Sequence, residues 1–377
     1  MKHLSLLSFF ILSLFLFASC GKQNKPQHEE KNGLTDYPIL YAKGFRVKKM
    51  GSYTEAIVVN PWDTTKILRK YILVEKGKEL PNPMPDGQLV RVPVSRVVSY
   101  YTIHCAVFRE LDALSVVKGV CESEYINIDD IQRGVRNGSI LDLGLASNPN
   151  VEKVIALEPE AIFSSPIRGQ SYGSVQKTGI PIIETPDYME ATPLAAAEWI
   201  RFYSLFLGKE AMADSLFHLV ETNYKAVQLS MAEAKEQPTV FLDLKYGNTW
   251  YVSGGNSFMA RMLNDAGAHY IWSDDHSTGA MPLSFETVLN KAANADFWLI
   301  KYNMPQTLTY ERLAKEMEGY RQFGAFRNRN IFECNTRYKK YYEDLPIHPD
   351  YILKDLAAVL HPDLFPGYVP RYYSRMK

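Results

Sequence analysis

"LSFETVLNKAANADFWLI" (283–300) reads as a helix running straight into a strand, and "NPNVEKVIALEPEAIF" (148–163) says nearly the same thing earlier in the chain. In each, an acid (Glu152, Glu286) falls in the first helical turn and an apolar stripe follows at helical spacing. An Asp or Glu then precedes a short continuous apolar run. A striped helix feeding a strand without alternation is the pattern of a parallel sheet covered on both faces. Two such phrases predict two α/β units built alike.

The flanking sequence extends both units. From Arg96, "RVVSYY", "VVKGVCE", "EAIFSS" and "IPIIET" read as strands, with helices at "HCAVFRELDAL", "NVEKVIAL" and "SVQKTG". After Gln237, "TVFLDL", "TWYVSG", "HYIW", "DFWLI" and "NIFECN" read as strands, with helices at "SFMARMLNDAG", "SFETVLNKA" and "YERLAKEM". "HPDYILKDLAAVL" closes the chain as a helix, with Asp350 placed to cap its first turn. Between the units, Thr192 before Pro193 is a helix start. Gly208 is a point of interruption, and Lys209–Lys235 keeps a helical stripe without Gly or Pro, enough for about 40 Å of helix.

The predicted fold is α/β: two Rossmann-like lobes joined by a long α-helix, with a β-rich N-terminal extension. The boundaries are a lipoprotein signal peptide at 1–19, a flexible tether at 20–37, the extension at 38–95, and an N-terminal lobe at 96–190. A connecting helix at 191–237 and a C-terminal lobe with its closing helix at 238–377 complete the chain. The extension is read as antiparallel, from "AIVVN", "RKYILVEK" and "QLVRVPV" separated by the turn chemistry of "PWDTT" and "ELPNPMPDG".

The first twenty residues carry a short basic start, an apolar run at Leu4–Phe17, and "FASC". Small residues followed by Cys20 resemble a bacterial lipobox, in which the cysteine is lipidated after cleavage. The apolar run is short for a spanning helix, and the polar "GKQNKPQHEEKNG" behind it reads as a tether. Export leaves Cys105, Cys121 and Cys334 as an odd number, so no full disulfide framework follows. Cys105 and Cys121 are able to pair, but their apolar surroundings favour buried free thiols. With 42 basic and 42 acidic residues, nothing in the bulk charge points to nucleic acid.

The order and spacing of "RVVSYYTIHCAVFRELDALSVVKGV", "NPNVEKVIALEPEAIF", "GIPIIET", "VFLDL…WYVSGGNSFMARMLNDAGA" and "LSFETVLNKAANADFWLI" are similar to the helical-backbone (class III) substrate-binding proteins of ABC importers. Members of that family deliver iron–siderophore complexes, haem or cobalamin to a permease dimer. The resemblance implies an exported, membrane-anchored binder facing the periplasm, held to the membrane only by lipid. It further implies no cofactor of its own beyond the iron chelate, haem or corrinoid it carries. By motif position, it assigns Glu152 and Glu286 to docking on the two permease subunits. On the residues alone, both acids also suit the helix dipole. The chief alternatives are cobalamin as ligand, or an enzyme that processes a metal chelate in the same cleft.

Parallel sheets bind ligands beyond the carboxyl ends of their strands. Strand ends in the N-lobe offer Tyr101, Thr102, His104, Ser164, Ser165, Arg168, Asp187 and Tyr188. In the C-lobe they offer Lys245, Tyr246, Asn248, Trp250, Lys301, Tyr302, Asn335 and Tyr338. Flat aromatic faces with a few cations suit a large planar or catecholate iron complex. No histidine pair has metal-ligand spacing, so direct metal ligation is not expected. "VSGGNSF" lacks the spacing of a nucleophile elbow. Asp130 and Asp142 in "DIQRGVRNGSILDLG" are taken as solvated loop charges.

Replacing Cys20 by Ser is expected to move the protein from the membrane to the soluble fraction without unfolding it. Cell fractionation checks this, and membrane retention equal to wild type contradicts the lipobox reading.

Overall fold

The computed structural model describes residues 35–377. The signal peptide, Cys20 and nearly all of the expected tether lie outside the described residues. Three layers of sheet are arranged along the chain: the extension, the N-lobe and the C-lobe.

The extension is a five-stranded sheet in sequence order: Thr35–Asp36, Phe45–Lys49, Thr54–Val59, Ile67–Glu75 and Gln88–Val92. It begins earlier than expected, because Thr35 and Asp36 already pair with Lys49 and Lys48. It is not wholly antiparallel either: the Pro-rich segment between the last two strands carries the chain back across the sheet, so they pair in parallel. Tyr71 joins this sheet to the N-lobe. Its buried hydroxyl donates to Ile182 O and accepts from Glu184 N, both at 2.8 Å, on the edge strand Ile182–Glu184. Pairing that edge removes exposed backbone groups that would otherwise invite another strand.

The N-lobe sheet runs Ile182–Glu184, Ala161–Ser164, Val97–Ser99, Val117–Val120, Leu141–Asp142, and every pair is parallel. Numbered within the lobe this is the doubly wound order 3-2-1-4-5. The C-lobe sheet runs His269–Tyr270, Thr239–Leu242, Phe297–Tyr302, Ile331–Asn335, Ser374–Arg375, with the last strand antiparallel. Its order, 2-1-3-4-5, is the other common doubly wound arrangement. A small antiparallel sheet (Lys245–Tyr246, Thr249–Ser253, Ala280–Leu283), of which the sequence reading had only the middle strand "TWYVSG", projects from the first C-lobe strand.

The connector is two helices rather than one long rod. Thr192 caps Pro193–Leu207 through the Ala195 N–H, and Gly208, at φ 65°, ends it in the left-handed conformation. Glu210–Ser230 follows and spans about 32 Å; a 3-10 turn at Met231–Glu233 then replaces the rest of the expected helix. Asp350 does not cap the closing helix Pro349–Leu360 but accepts from Asn223 Nδ2 at 3.0 Å, tying that helix to the connector. Asp130 and Asp142 are not loop charges: Asp130 pairs with Arg133 on the helix Asp129–Asn137, and Asp142 accepts from the Ser123 hydroxyl and, at 2.8 Å, from Gly144 N. Cys105, Cys121 and Cys334 are free, buried thiols. Among the described residues no helix is long and apolar enough to cross a membrane.

Where the N-lobe meets the connector, Tyr203 stacks on Phe163, with centroids 5.8 Å apart, and its hydroxyl lies 3.0 Å from Asp187 Oδ2 and 2.9 Å from Thr185 Oγ1. Burial pushes the Asp187 carboxyl up to about 7, and it pushes His104, 3.3 Å from Thr185 Oγ1, down to about 3. The two shifts pull stability in opposite directions. The folded protein holds the Asp187 proton longer than the unfolded chain, so this contribution is full below about pH 4 and is lost as pH rises to about 7. His104 stays neutral in the fold, so its contribution is full above about pH 6.5 and is lost as pH falls towards 3. Asp187→Asn is therefore expected to gain stability relative to wild type between pH 4 and 7, by at most about 4 kcal/mol, with no further gain above 7. Urea midpoints of both proteins across that range check this; a difference that does not vary with pH contradicts it.

Candidate functional site

A doubly wound sheet opens a crevice where neighbouring strands send their connections to opposite faces. In the N-lobe that point lies between Val97–Ser99 and Ala161–Ser164. The expected N-lobe residues gather there. Tyr101 precedes the helix Thr102–Glu110, whose His104 is fully buried with Nε2 3.5 Å from Ser165 Oγ. His104 Nδ1 has no protein partner. Tyr188 is 55% exposed and is pinned twice, its hydroxyl donating to Pro166 O at 2.7 Å and its N–H to Asp187 Oδ1 at 2.9 Å. Arg168 stands exposed on the loop after Ala161–Ser164.

In the C-lobe the corresponding point lies between Thr239–Leu242 and Phe297–Tyr302. Asp243 turns there with φ 61° and accepts from Lys301 Nζ at 2.7 Å. Burial works against the Lys301 charge, but Asp243 together with Tyr341 and Tyr342 offsets it and holds the ammonium protonated. Lys245, Tyr246 and Asn248 ride on the hairpin that follows, turned at Gly247 (φ 58°), with Tyr246 81% exposed. Tyr338, 62% exposed, follows Ile331–Asn335 and donates to Pro305 O at 3.1 Å.

Six of the expected residues are buried and face away from open solvent, and Lys301 is nearly so. Trp250 is fully buried because strand alternation turns it inward, where Nε1 donates to Leu242 O at 3.0 Å and the ring packs on Phe241, Trp298 and Tyr320. Tyr302 uses its hydroxyl to accept from Leu308 N, and Asn335 Nδ2 donates to Met304 O. Ser164, Asp187 and His104 are likewise buried, and the Lys301 side chain is only 10% exposed. These side chains shape the loops beneath the surface set of Tyr101, Thr102, Ser165, Arg168, Tyr188, Lys245, Tyr246, Asn248 and Tyr338. Sequence reasoning missed Tyr342, half-exposed and close enough to Lys301 and Asp243 to feel their charges. Its signal was "YKKYYEDL", an aromatic cluster too far from a strand end to attract notice.

Glu152 and Glu286 are both exposed in first turns capped by neighbours: Asn150 accepts from Lys153 N, and Ser284 accepts from Thr287 N. Each helix leads into a parallel strand, Ala161–Ser164 or Phe297–Tyr302, so its start lies at the edge where the strands end. The carboxylate of Glu286 is held below its usual range by its own N–H, by Ser284 and by Lys245. Among the described residues, no three His, Cys, Asp or Glu side chains are grouped to hold a metal ion.

The fold recurs in solved structures. The protein is similar to an ABC-type Fe3+-hydroxamate transport system structure from Saccharomonospora viridis (TM-score 0.56, 17% identity, 71% of this chain and 94% of that one). It is also similar to a periplasmic heme binding protein from Pseudomonas aeruginosa (TM-score 0.58, 17% identity, 75% and 98%). An uncharacterized lipoprotein of Methanocaldococcus jannaschii is 26% identical over 343 residues, covering 84% of this chain and 81% of the relative. The periplasmic binding protein family model matches residues 97–338, most of both lobes, and the chain belongs to that family of solute-binding proteins rather than to a family of enzymes.

Proposed function

We propose that this protein is the membrane-tethered substrate-binding component of an ABC importer, capturing an iron complex, siderophore or haem, and handing it to a permease dimer. The observation that carries the reading is the chemistry of the two strand-end edges. Exposed tyrosines share those edges with a cation, Tyr188 with Arg168 in the N-lobe and Tyr246 and Tyr338 with Lys245 in the C-lobe, while no group of side chains able to ligate a bare ion is present among the described residues. Phenol rings give broad apolar faces with a polar tip, and guanidinium or ammonium groups meet carboxylate or catecholate charge. A bare divalent ion wants clustered imidazole or carboxylate instead. The iron-hydroxamate and haem proteins that share the fold support the same class of cargo. Cobalamin is the nearest alternative ligand.

Delivery follows from the second pair of features. Glu152 and Glu286 stand on separate lobes at the strand-end edges that carry the candidate ligand residues, so closure of the lobes over cargo would change the spacing of two exposed charges. Separated charges of this kind orient and steer a partner more than they add affinity. Lys245 feels the charge of Glu286, and its hairpin pairs with the strand that leads into the Glu286 helix. One small sheet therefore links the candidate ligand edge to the proposed docking edge.

Titration of a ferric catecholate, ferric hydroxamate or haem is expected to quench tryptophan emission with a Kd between about 1 nM and 1 μM. Trp250 and Trp298 lie beneath the C-lobe edge, so quenching proceeds by energy transfer rather than by contact. Tight binding of free iron or zinc, with failure of every chelate, haem and cobalamin, contradicts the reading. Reversing charge at both Glu152 and Glu286 is expected to abolish uptake in cells while changing ligand affinity less than about threefold, under 1 kcal/mol. A large affinity loss in the folded variant would place the acids in the ligand site instead.

A further inference from the structure

At the opposite edge of the C-lobe, where its parallel strands begin, the surface folds into a concavity of about 890 Å³ lined by Arg321, Arg327, Arg329 and Lys377 around Tyr310 and Glu311. Arg329 and Asn330 directly precede the strand Ile331–Asn335, whose other end carries Tyr338, so the concavity is separate from the candidate ligand edge. Two of the arginines sit over aromatic rings, and Arg327 donates to the Gln322 carbonyl. Arg329 lies 4.4 Å over Tyr310, Arg321 lies 5.8 Å over Phe326, and the two rings meet edge to face at 5.1 Å. Arg375 joins them by donating to Arg329 O at 2.9 Å. Among the described residues, Arg321 alone of these arginines has a carboxylate partner, Glu318 at 2.9 Å; Glu311 is the one acidic side chain in the lining, and the Lys377 main-chain oxygen there accepts from Tyr310 N at 3.1 Å. Arg329 also holds a left-handed backbone (φ 59°), a conformation that Asn or Gly reaches more easily. In a chain whose charges balance overall, this local excess is not a bulk effect.

We propose that this concavity binds a phosphoryl group. A guanidinium lying flat on a ring keeps its N–H edge free, and that planar fork matches phosphate oxygens two at a time. Arg327, Arg329 and Lys377, none with a carboxylate partner among the described residues, line one hollow, which exceeds what a single carboxylate needs and fits a multiply charged anion. A free phosphate compound and an anionic phospholipid headgroup present the same chemistry.

Calorimetric titration of inorganic pyrophosphate into the full chain tests the first source. Sedimentation of the Cys20→Ser chain with phosphatidylglycerol or phosphatidylcholine vesicles tests the second without the lipid anchor. The site variant is Arg327→Gln with Arg329→Asn, the Asn chosen to tolerate the left-handed backbone. Arg133→Gln with Arg136→Gln makes the same charge change on an N-lobe helix, and urea midpoints confirm that both variants fold. Saturable pyrophosphate binding that weakens at least tenfold in the site variant and less than twofold in the control assigns a free phosphate. The same pattern confined to phosphatidylglycerol vesicles assigns a headgroup. Absence of both interactions, or equal losses in the two variants, overturns the proposal.

Discussion

A helix buried on every face cannot carry a polar stripe, and Pro193–Leu207 has almost none: fourteen of its fifteen residues are buried. The rest of the molecule is built against it. The N-lobe stacks Phe163 on Tyr203, and the extension packs Phe45 on Trp199 and sets Tyr71 edge-on to Phe206. The one carboxylate in the helix interior, Glu198, is fully buried and accepts N–H groups from Leu40, Tyr41 and Ala42 at 2.7–2.8 Å, with Arg201 at 2.9 Å. A buried charge persists only when it is paired and hydrogen-bonded. Glu198 thereby fixes the irregular segment between the first two strands of the extension, and the extension becomes part of the lobe rather than an appendage.

Two consequences for binding follow. Tyr203, on that same helix, touches Asp187 and Thr185, which stand directly beneath Tyr188 and beside His104. The N-lobe edge is thus braced from behind by the connector. The C-lobe edge is braced differently, by the Asp243–Lys301 pair set between its two central strands. The lobes also meet through Arg109–Asp344 at 3.3 Å and Glu110–His348 at 3.2 Å, and Asp350 and Glu110 together push His348 up to about 9 despite its burial. These contacts limit how far the lobes can move and favour modest closure over wide opening.

Periodicity made both parallel sheets legible, because a strand covered on two faces leaves an unbroken apolar run and its crossover helix leaves a stripe. The extension was partly legible: "FRVKK" alternates too briefly to stand out, and the parallel return before Gln88 leaves no local mark. Ala280–Leu283 was hidden by Pro282 and by the polar run before it. Strand ends located the site's edges but could not say which side chain turns inward. Trp250 and Tyr302 differ from Tyr246 and Tyr338 only in facing, which depends on register with neighbours far away in sequence. Lys301 illustrates the same limit, since its partner Asp243 follows another strand, in a left-handed turn that no local pattern demands.

The central claim, that two braced edges hold an iron complex rather than an ion or a reacting substrate, is tested most directly by what the protein already carries. Native protein isolated from its own cells, denatured and analysed by absorption spectroscopy and mass spectrometry, is expected to release one organic iron chelate or a tetrapyrrole. That compound should rebind unchanged to refolded protein. Release of a stoichiometric bare metal with no organic component, or conversion of the added compound into a product, would contradict the account.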